Sequence, residues 1–276
     1  MPLSFSAATH VGVRRDANED SYCARPDLGL FAVADGVGGQ DAGEVASRAA
    51  IEAVQQAIEE TRGWTERAPW PFEYQPALGV DGNRLNWALH RATLRLRAEA
   101  AGALGRAGMA TTIAAALFES DASGAREPIG GATIGHVGDS RVYRWRSGHL
   151  DRLTRDHSWV EEQVSAGLIS KGDAWRHPRR NLLTRALSGG AEPVPDFGWA
   201  PLRAGDRLML CSDGLTGVLS DAQIAGILSA GGPPETASAP GGSPCDALVH
   251  AANLAGGPDN ITVILVTVEP GPPCPS

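Results

Sequence analysis

The chain has 276 residues, 42% of them hydrophobic, enough to bury a sizeable core without disulfide or metal staples. Its 24 basic and 32 acidic residues leave a net charge of −8, so no positive field exists to displace counterions from nucleic acid. No apolar run approaches the ~18 residues of a membrane span, and Met1-Pro2-Leu3-Ser4 opens no basic-then-apolar leader, so a cytoplasmic protein is expected.

In chain order, residues 30–34 form an apolar run that reads as a buried strand and stops at Asp35-Gly36. A helix is predicted next, with Ala42, Val45, Ala46, Ala49, Ala53 and Ala57 at steps of three and four and Asp41 as its cap. Residues 61–82, rich in Trp, Pro and Gly, lack periodicity and read as a loop or insertion. Leu85, Ala88, Leu89, Ala92 and Leu96 mark a second helix. Short strands are predicted over 111–118, 132–137 and 141–145, and Arg146-Ser147-Gly148-His149 reads as a hairpin turn into 150–153.

The stretch 159–188 is polar and dotted with arginines, with a helix over 160–166 ended by Gly167. Residues 207–211 read as another buried strand, stopping at Asp213-Gly214. Ser220-Asp221-Ala222-Gln223 has the form of a capping box. Residues 230–244 are expected to form a flexible loop, followed by a helix near 246–254 and a final strand over 261–268. With no repeat and no linker, residues 1–276 read as one domain with several strands and at least four helices.

Cys23, Cys211, Cys245 and Cys274 lack the spacing of a zinc site or a disulfide framework. Lys171 is the only lysine, and its polar setting, Ser170-Lys171-Gly172-Asp173, argues against Schiff-base chemistry.

Acidic residues stand where apolar runs begin or stop: Glu19-Asp20, Asp35, Asp139, Asp213 and Asp259. A lone Asp-Gly is a common turn signal, but five acidic strand ends in one chain carry more weight. Carboxylates converging on one cleft would repel each other unless cations neutralised them. Oxygen ligands suit Mg2+ or Mn2+, and the seven histidines show no zinc-ligand spacing.

Arg15-Asp16-Ala17-Asn18-Glu19-Asp20 resembles the R-x-x-N-E-D opening of bacterial PP2C-type (PPM) phosphatases. Asp35-Gly36-Val37-Gly38-Gly39 resembles their D-G-x-G-G, and Gly108-Met109-Ala110-Thr111-Thr112 their G-M-G-T-T with one Gly replaced. Gly138-Asp139-Ser140-Arg141, Thr154-Arg155-Asp156-His157-Ser158, the run from His177 to Leu187, Ser212-Asp213-Gly214-Leu215 and Asp259-Asn260-Ile261-Thr262 follow in the expected order. The likeness runs from about Thr9 to Val268. His10 stands where many bacterial members have Asp, and Val37 where Met is common.

The resemblance implies an α+β fold: a four-layer α-β-β-α sandwich of two antiparallel sheets flanked by helices, with a flap at about 159–188. It implies two core Mn2+ or Mg2+ ions, with Asp35 bridging both and the Gly36 carbonyl on one. Asp213 and Asp259 would ligate one ion, Glu19 and Asp20 would surround the pair directly or through water, and Asp139 with Asp213 would hold a third. Arg15 would grip the substrate phosphate, making Arg15 and Asp35 the catalytic pair. The implied activity is hydrolysis of phosphoserine and phosphothreonine by a hydroxide bridging the two cations. The implied partners are a phosphoprotein and a cognate Ser/Thr kinase, with the chain itself a monomer.

Other classes fit less well. A cysteine phosphatase needs an arginine six residues after its thiolate, and those positions after Cys23, Cys211 and Cys245 are Gly29, Gly217 and Ala251. The third glycine of a dinucleotide loop would fall on Asp41. Adjacent Asp156, His157 and Ser158 point in different directions and cannot form a triad, so Asp156 and His157 read as structural. A non-catalytic scaffold and a phosphatase of small metabolites stay open, as does the choice between substrate contact and a solvated face for Arg176, Arg179, Arg180 and Arg185.

Overall fold

A computed structural model describes residues 2–38, 42–102, 108–119, 130–190, 192–230 and 242–270. Two sheets form its centre. The first takes the order β1 (Leu3–His10), β12 (Ile261–Val268), β11 (Arg207–Cys211), β7 (Arg141–Arg146) and β8 (His149–Arg152). The second runs β10 (Asp196–Pro201), β6 (Gly131–Val137), β5 (Ile113–Phe118), β3 (Leu30–Val37), β4 (Ala110–Thr111) and β9 (Leu187–Ser188), with β2 (Asp20–Arg25) also on β3. Every pairing is antiparallel.

The central strands are apolar on both faces, which is why they read as continuous runs rather than alternating ones. On β11, Leu208 and Leu210 face the other sheet, while Met209 and Cys211 face helices α6 (Asp221–Ala230) and α7 (Pro244–Leu254). On β3, Phe31 and Val33 point between the sheets; Leu30, Ala32 and Ala34 point to α1 (Ala42–Glu60) and α2 (Gly79–Gly102). Three apolar layers thus separate four layers of structure, the α-β-β-α sandwich that the resemblance implies.

Most predicted elements sit where the sequence places them, β12 with the same limits. The 111–118 run is split at Thr112 into β4 and β5, and β3 carries on through Asp35 and Gly36 because β2 and β4 pair with them. Residues 79–82, expected in the loop, open α2, and Pro76–Leu78 form a 3-10 turn. The rest of that segment packs through aromatic rings: Trp64 edge-on to Trp70, and tilted contacts of Trp70 with Phe72 and Tyr74 and of Phe72 with Trp87 of α2. Asp41 and most of the 230–244 loop lie outside the described residues.

In 159–188, α3 (Trp159–Ser165) is capped by the Ser158 hydroxyl and ends at Gly167, and a second short helix, α4 (Lys171–Arg176), follows. Ser220 and Gln223 make the reciprocal bonds of the expected capping box. Among the described residues no helix is long and apolar enough to cross a membrane.

Ile264 is fully buried between the sheets. Ile264→Ala should cost about 2–5 kcal/mol, read as a lower urea midpoint with an unchanged slope. A loss under about 1 kcal/mol would show that the inter-sheet layer is not the packed core described.

Candidate metal centre

The acidic strand ends meet at one end of the sandwich, drawn from both sheets. Asp20 opens β2 and is the cross-strand partner of Asp35 on β3. Asp213 starts the single turn α5 (Asp213–Thr216) directly after β11, and Asp259 lies two residues before β12. Asp139 sits in the turn from β6 to β7, where the chain passes from one sheet to the other.

Two glycines allow the layers to close here. A Cβ at Gly36 would fall 2.1 Å from the Gly43 carbonyl oxygen, so only glycine lets β3 run beneath the first turn of α1. A Cβ on Gly214 would fall 1.8 Å from the Asn260 carbonyl oxygen, so the same holds where α5 meets the start of β12. The Glu19 carboxyl rests against Gly43 on that first turn.

Polar side chains fix the backbone around the carboxylates. The Asn260 amide donates to the carbonyls of Val11 and Ala17, each at 2.8 Å, and its oxygen accepts from the Glu19 N–H at 2.8 Å. The Ser212 hydroxyl donates to Asp20 Oδ2 at 2.7 Å and accepts from the Thr262 N–H at 3.0 Å. Thr112 Oγ1 accepts from the Asp35 N–H at 3.1 Å and bonds the Ser140 hydroxyl at 2.7 Å. Asn260, Ser212, Thr112 and Ser140 stand inside the family motifs, but spacing alone assigns them no role.

The electrostatics are those of crowded acids. Burial, with Asp213 and Asp259 adding repulsion, pushes Asp20 up to about 7. Burial also raises Asp35 and Asp139 well above the usual carboxylate range, with Asp20 and Asp213 respectively the leading neighbours. Asp213 is raised by burial and by Asp259, although the Asp35 carboxyl lies within hydrogen-bonding reach. Asp20 Oδ1 and Asp213 Oδ1 are buried with no hydrogen-bond partner among the described residues. Arg15, half-exposed, donates from Nη2 to Asp259 Oδ2 at 2.8 Å and feels Glu19 and Asp35 as well.

These observations fit a hard divalent cation. The donors are all oxygens, two of them lack any partner, and removal of the repulsion is the missing term. The ligand oxygens are spread more widely than one tight protein cage: among the described residues only His136, His157 and Asp196 have ligand atoms all within 4.8 Å of one another. Such spread suits ions that keep several waters.

The His136–His157–Asp196 set is held by ring stacking and charge contacts. His157 Nδ1 accepts from the Gly138 N–H at 3.1 Å, so its proton sits on Nε2, 3.2 Å from Asp196 Oδ2, a contact close enough to pair but off line for a full hydrogen bond. His136 stacks on that ring at 4.6 Å, and Arg185 takes the other Asp196 oxygen at 2.8 Å. Burial holds His157 below the ordinary imidazole range against the pull of Asp196.

Asp156 chelates the Arg141 guanidinium, with a shortest contact of 2.6 Å, as befits the structural part read from the sequence. Of the flap arginines, Arg179 stacks on Trp159, Arg185 pairs with Asp196, and Arg180 donates to the Gly217 carbonyl at 3.0 Å. Cys23 and Cys245 are pushed up to about 11 and Cys211 to about 12 by burial, so none is a thiolate nucleophile.

A four-layer sandwich with a carboxylate pocket at its strand ends is the architecture of a metal-dependent phosphatase. The model of the protein phosphatase 2C family matches residues 10–230, and the chain belongs to that family. It is 34% identical over 266 residues to the serine/threonine protein phosphatase PstP of Mycobacterium tuberculosis, covering 96% of this chain and 45% of that protein. It is 32% identical to the protein phosphatase PhpP of Streptococcus pneumoniae, over 97% of this chain and 98% of that one. The chain therefore spans about half the length of the mycobacterial relative and nearly all of the streptococcal one. A crystal structure of PstP superposes with a TM-score of 0.79 over 97% of this chain and 99% of that one, at 34% identity. A second, of its catalytic domain with two manganese ions, gives 0.75 at 33% identity, again over 97% and 99%.

Because the acidic groups are raised in the folded chain, it holds protons that the unfolded chain has released. Their contribution to stability is present at low pH and is lost as pH rises from the ordinary carboxylate range through about 7, where Asp20 titrates. In EDTA, Asp213→Asn should therefore be more stable than wild type at about pH 8, with the gap closing toward about pH 5. Urea denaturation checks this; an Asn variant less stable at both pH values would contradict the repulsion described.

Proposed function

We propose that the chain hydrolyses phosphoserine and phosphothreonine esters in proteins, reversing a Ser/Thr kinase, with two divalent cations (Mn2+ or Mg2+) in the carboxylate pocket. The observation that carries this reading is the convergence of Asp20, Asp35, Asp213 and Asp259 with buried oxygens left unpartnered. Membership of the protein phosphatase 2C family and the two manganese ions in the PstP structure support it.

In this reading Asp35 would help hold both cations and the Gly36 carbonyl would offer an oxygen to one of them. Asp213 and Asp259 would hold one ion, Glu19 and Asp20 would surround the pair, and Asp139 with Asp213 would offer a further position. When bound, the cations supply Lewis acidity: they lower the pKa of water and neutralise phosphoryl charge. Arg15 contributes binding and orientation. Its guanidinium can place two parallel N–H donors on phosphoryl oxygens, a fork that lysine cannot reproduce. Asp259 holds Arg15 Nη2 at 2.8 Å at the rim of the pocket, which limits the freedom the guanidinium has to lose when substrate enters. Ser212 and Asn260 keep Asp20 and the 11–19 segment in place, so that little reorganisation is needed when substrate enters.

Asp35→Ala should keep a native circular dichroism spectrum and lose about a thousandfold or more of Mn2+-dependent turnover of p-nitrophenyl phosphate and phosphopeptides. Near-normal turnover by that variant would remove Asp35 from the centre. Arg15→Ala should lower kcat/KM by about 10- to 100-fold, mostly through KM, as expected for loss of a charge-assisted hydrogen bond. Unchanged KM and rate would remove Arg15 from phosphate binding.

A further inference from the structure

A cleft of about 740 Å3 is lined by Asp139 and Asp213 of the candidate metal centre and by Lys171 and Trp175 of α4 in the flap. Its charges are unevenly committed. Asp151 is paired with Arg144 at 2.9 Å, Asp156 with Arg141 at 2.6 Å, and Glu161 with Arg152 at 2.9 Å. Asp221 accepts from the Tyr143 hydroxyl at 3.0 Å. Among the cleft's carboxylates this leaves three without a cationic partner among the described residues: Asp221, and Asp139 and Asp213 of the candidate metal centre.

The cations that remain are Arg155, Lys171 and Arg180. Among the described residues none of the three forms an ion pair with a carboxylate; Arg180 donates to the Gly217 carbonyl at 3.0 Å and lies close enough to Asp213 to act on its charge. Arg155 and Lys171 are exposed, and the half-exposed Trp175 lies beside them. With Asp139 and Asp213 assigned to the metal centre, three unpaired cations stand against one carboxylate without a cationic partner, Asp221, so a chain of net charge −8 presents a locally positive outer cleft. Fields act over roughly 8 Å at physiological ionic strength, so a bound peptide feels these three groups more than the distant negative surface.

We infer that this cleft seats the residues flanking the phosphorylated side chain, and that Arg155, Lys171 and Arg180 make it select peptides with acidic flanks. This rests on the phosphatase reading of the centre. A carboxylate beside the phospho-residue gains an unpaired cation, whereas a lysine there meets like charge, and such mismatches separate partners more than they raise affinity. Arg180 acts on the charge of Asp213 and so marks the end beside the metal centre, while Arg155 and Lys171 are the exposed pair.

The test uses the full chain loaded with Mn2+ and two fluorescein-labelled peptides. Each carries a non-hydrolysable phosphonate analogue of phosphothreonine, flanked on both sides by Glu in one and by Lys in the other. Anisotropy should show the acidic peptide bound about tenfold more tightly, with the difference collapsing in about 0.5 M salt. In the Arg155→Glu/Lys171→Glu double variant the preference should fall to about threefold or less. Equal binding, tighter binding of the Lys peptide, no measurable binding of either, or an undiminished preference in the double variant would each overturn the inference. Should the double variant fail to fold, the wild-type ratio and its salt dependence decide. Turnover of p-nitrophenyl phosphate by the wild-type chain reports separately on the phosphatase reading, since the binding ratio is read whether or not hydrolysis occurs.

Discussion

Carboxylates repel, and burial makes the repulsion worse. At one end of this molecule Asp20, Asp35, Asp139 and Asp213 are all pushed above the ordinary acid range by loss of water and by one another. A chain gains nothing in stability from such a grouping, since each ionised group withdrawn from water costs several kcal/mol by rough measure unless it is paired. A divalent cation reverses the sign, because the same crowding then becomes a ligand shell. The rest of the fold can be understood as the frame that holds these groups together.

That frame works because strand ends are rigid and close. Asp20 and Asp35 face each other across one ladder, and Asp213 and Asp259 flank neighbouring strands of the other sheet. The apolar layer between the sheets, with Phe31, Leu210 and Ile264 among its members, sets the distance between the two pairs. Ser212 then reaches from the five-stranded sheet to Asp20 on the seven-stranded one, and Asn260 ties the segment carrying Arg15 and Glu19 to the start of β12. The flap is fastened at its base by His157, whose N–H and carbonyl bond Gly138 and Thr184 while its ring accepts the Gly138 N–H. The outer cleft wall with Lys171 and Trp175 thus grows from an anchored base beside Asp139.

Much of this was legible in the sequence. Buried strands such as 261–268 announce themselves because both faces are apolar, and the acidic residues at their ends are visible as abrupt stops. The Gly- and Pro-containing β10 and the six-residue α4 were not, since each has too little apolar repetition to set a period. The polar ties were hidden for another reason: Ser212 to Asp20 spans 192 positions and Asn260 to Val11 spans 249, and no local pattern encodes such a bond. The charge balance of the cleft was likewise invisible, because the sequence shows arginines and aspartates without showing which are already paired.

The most direct test is anomalous diffraction at the manganese edge from crystals grown with Mn2+. Two strong peaks are expected between Asp35, Asp213, Asp259 and Asp20, within coordinating distance of their oxygens. Peaks confined to His136, His157 and Asp196, or no ordered manganese beside Asp35 at saturating metal, would contradict the claim that cations are what make this gathering of acids tolerable.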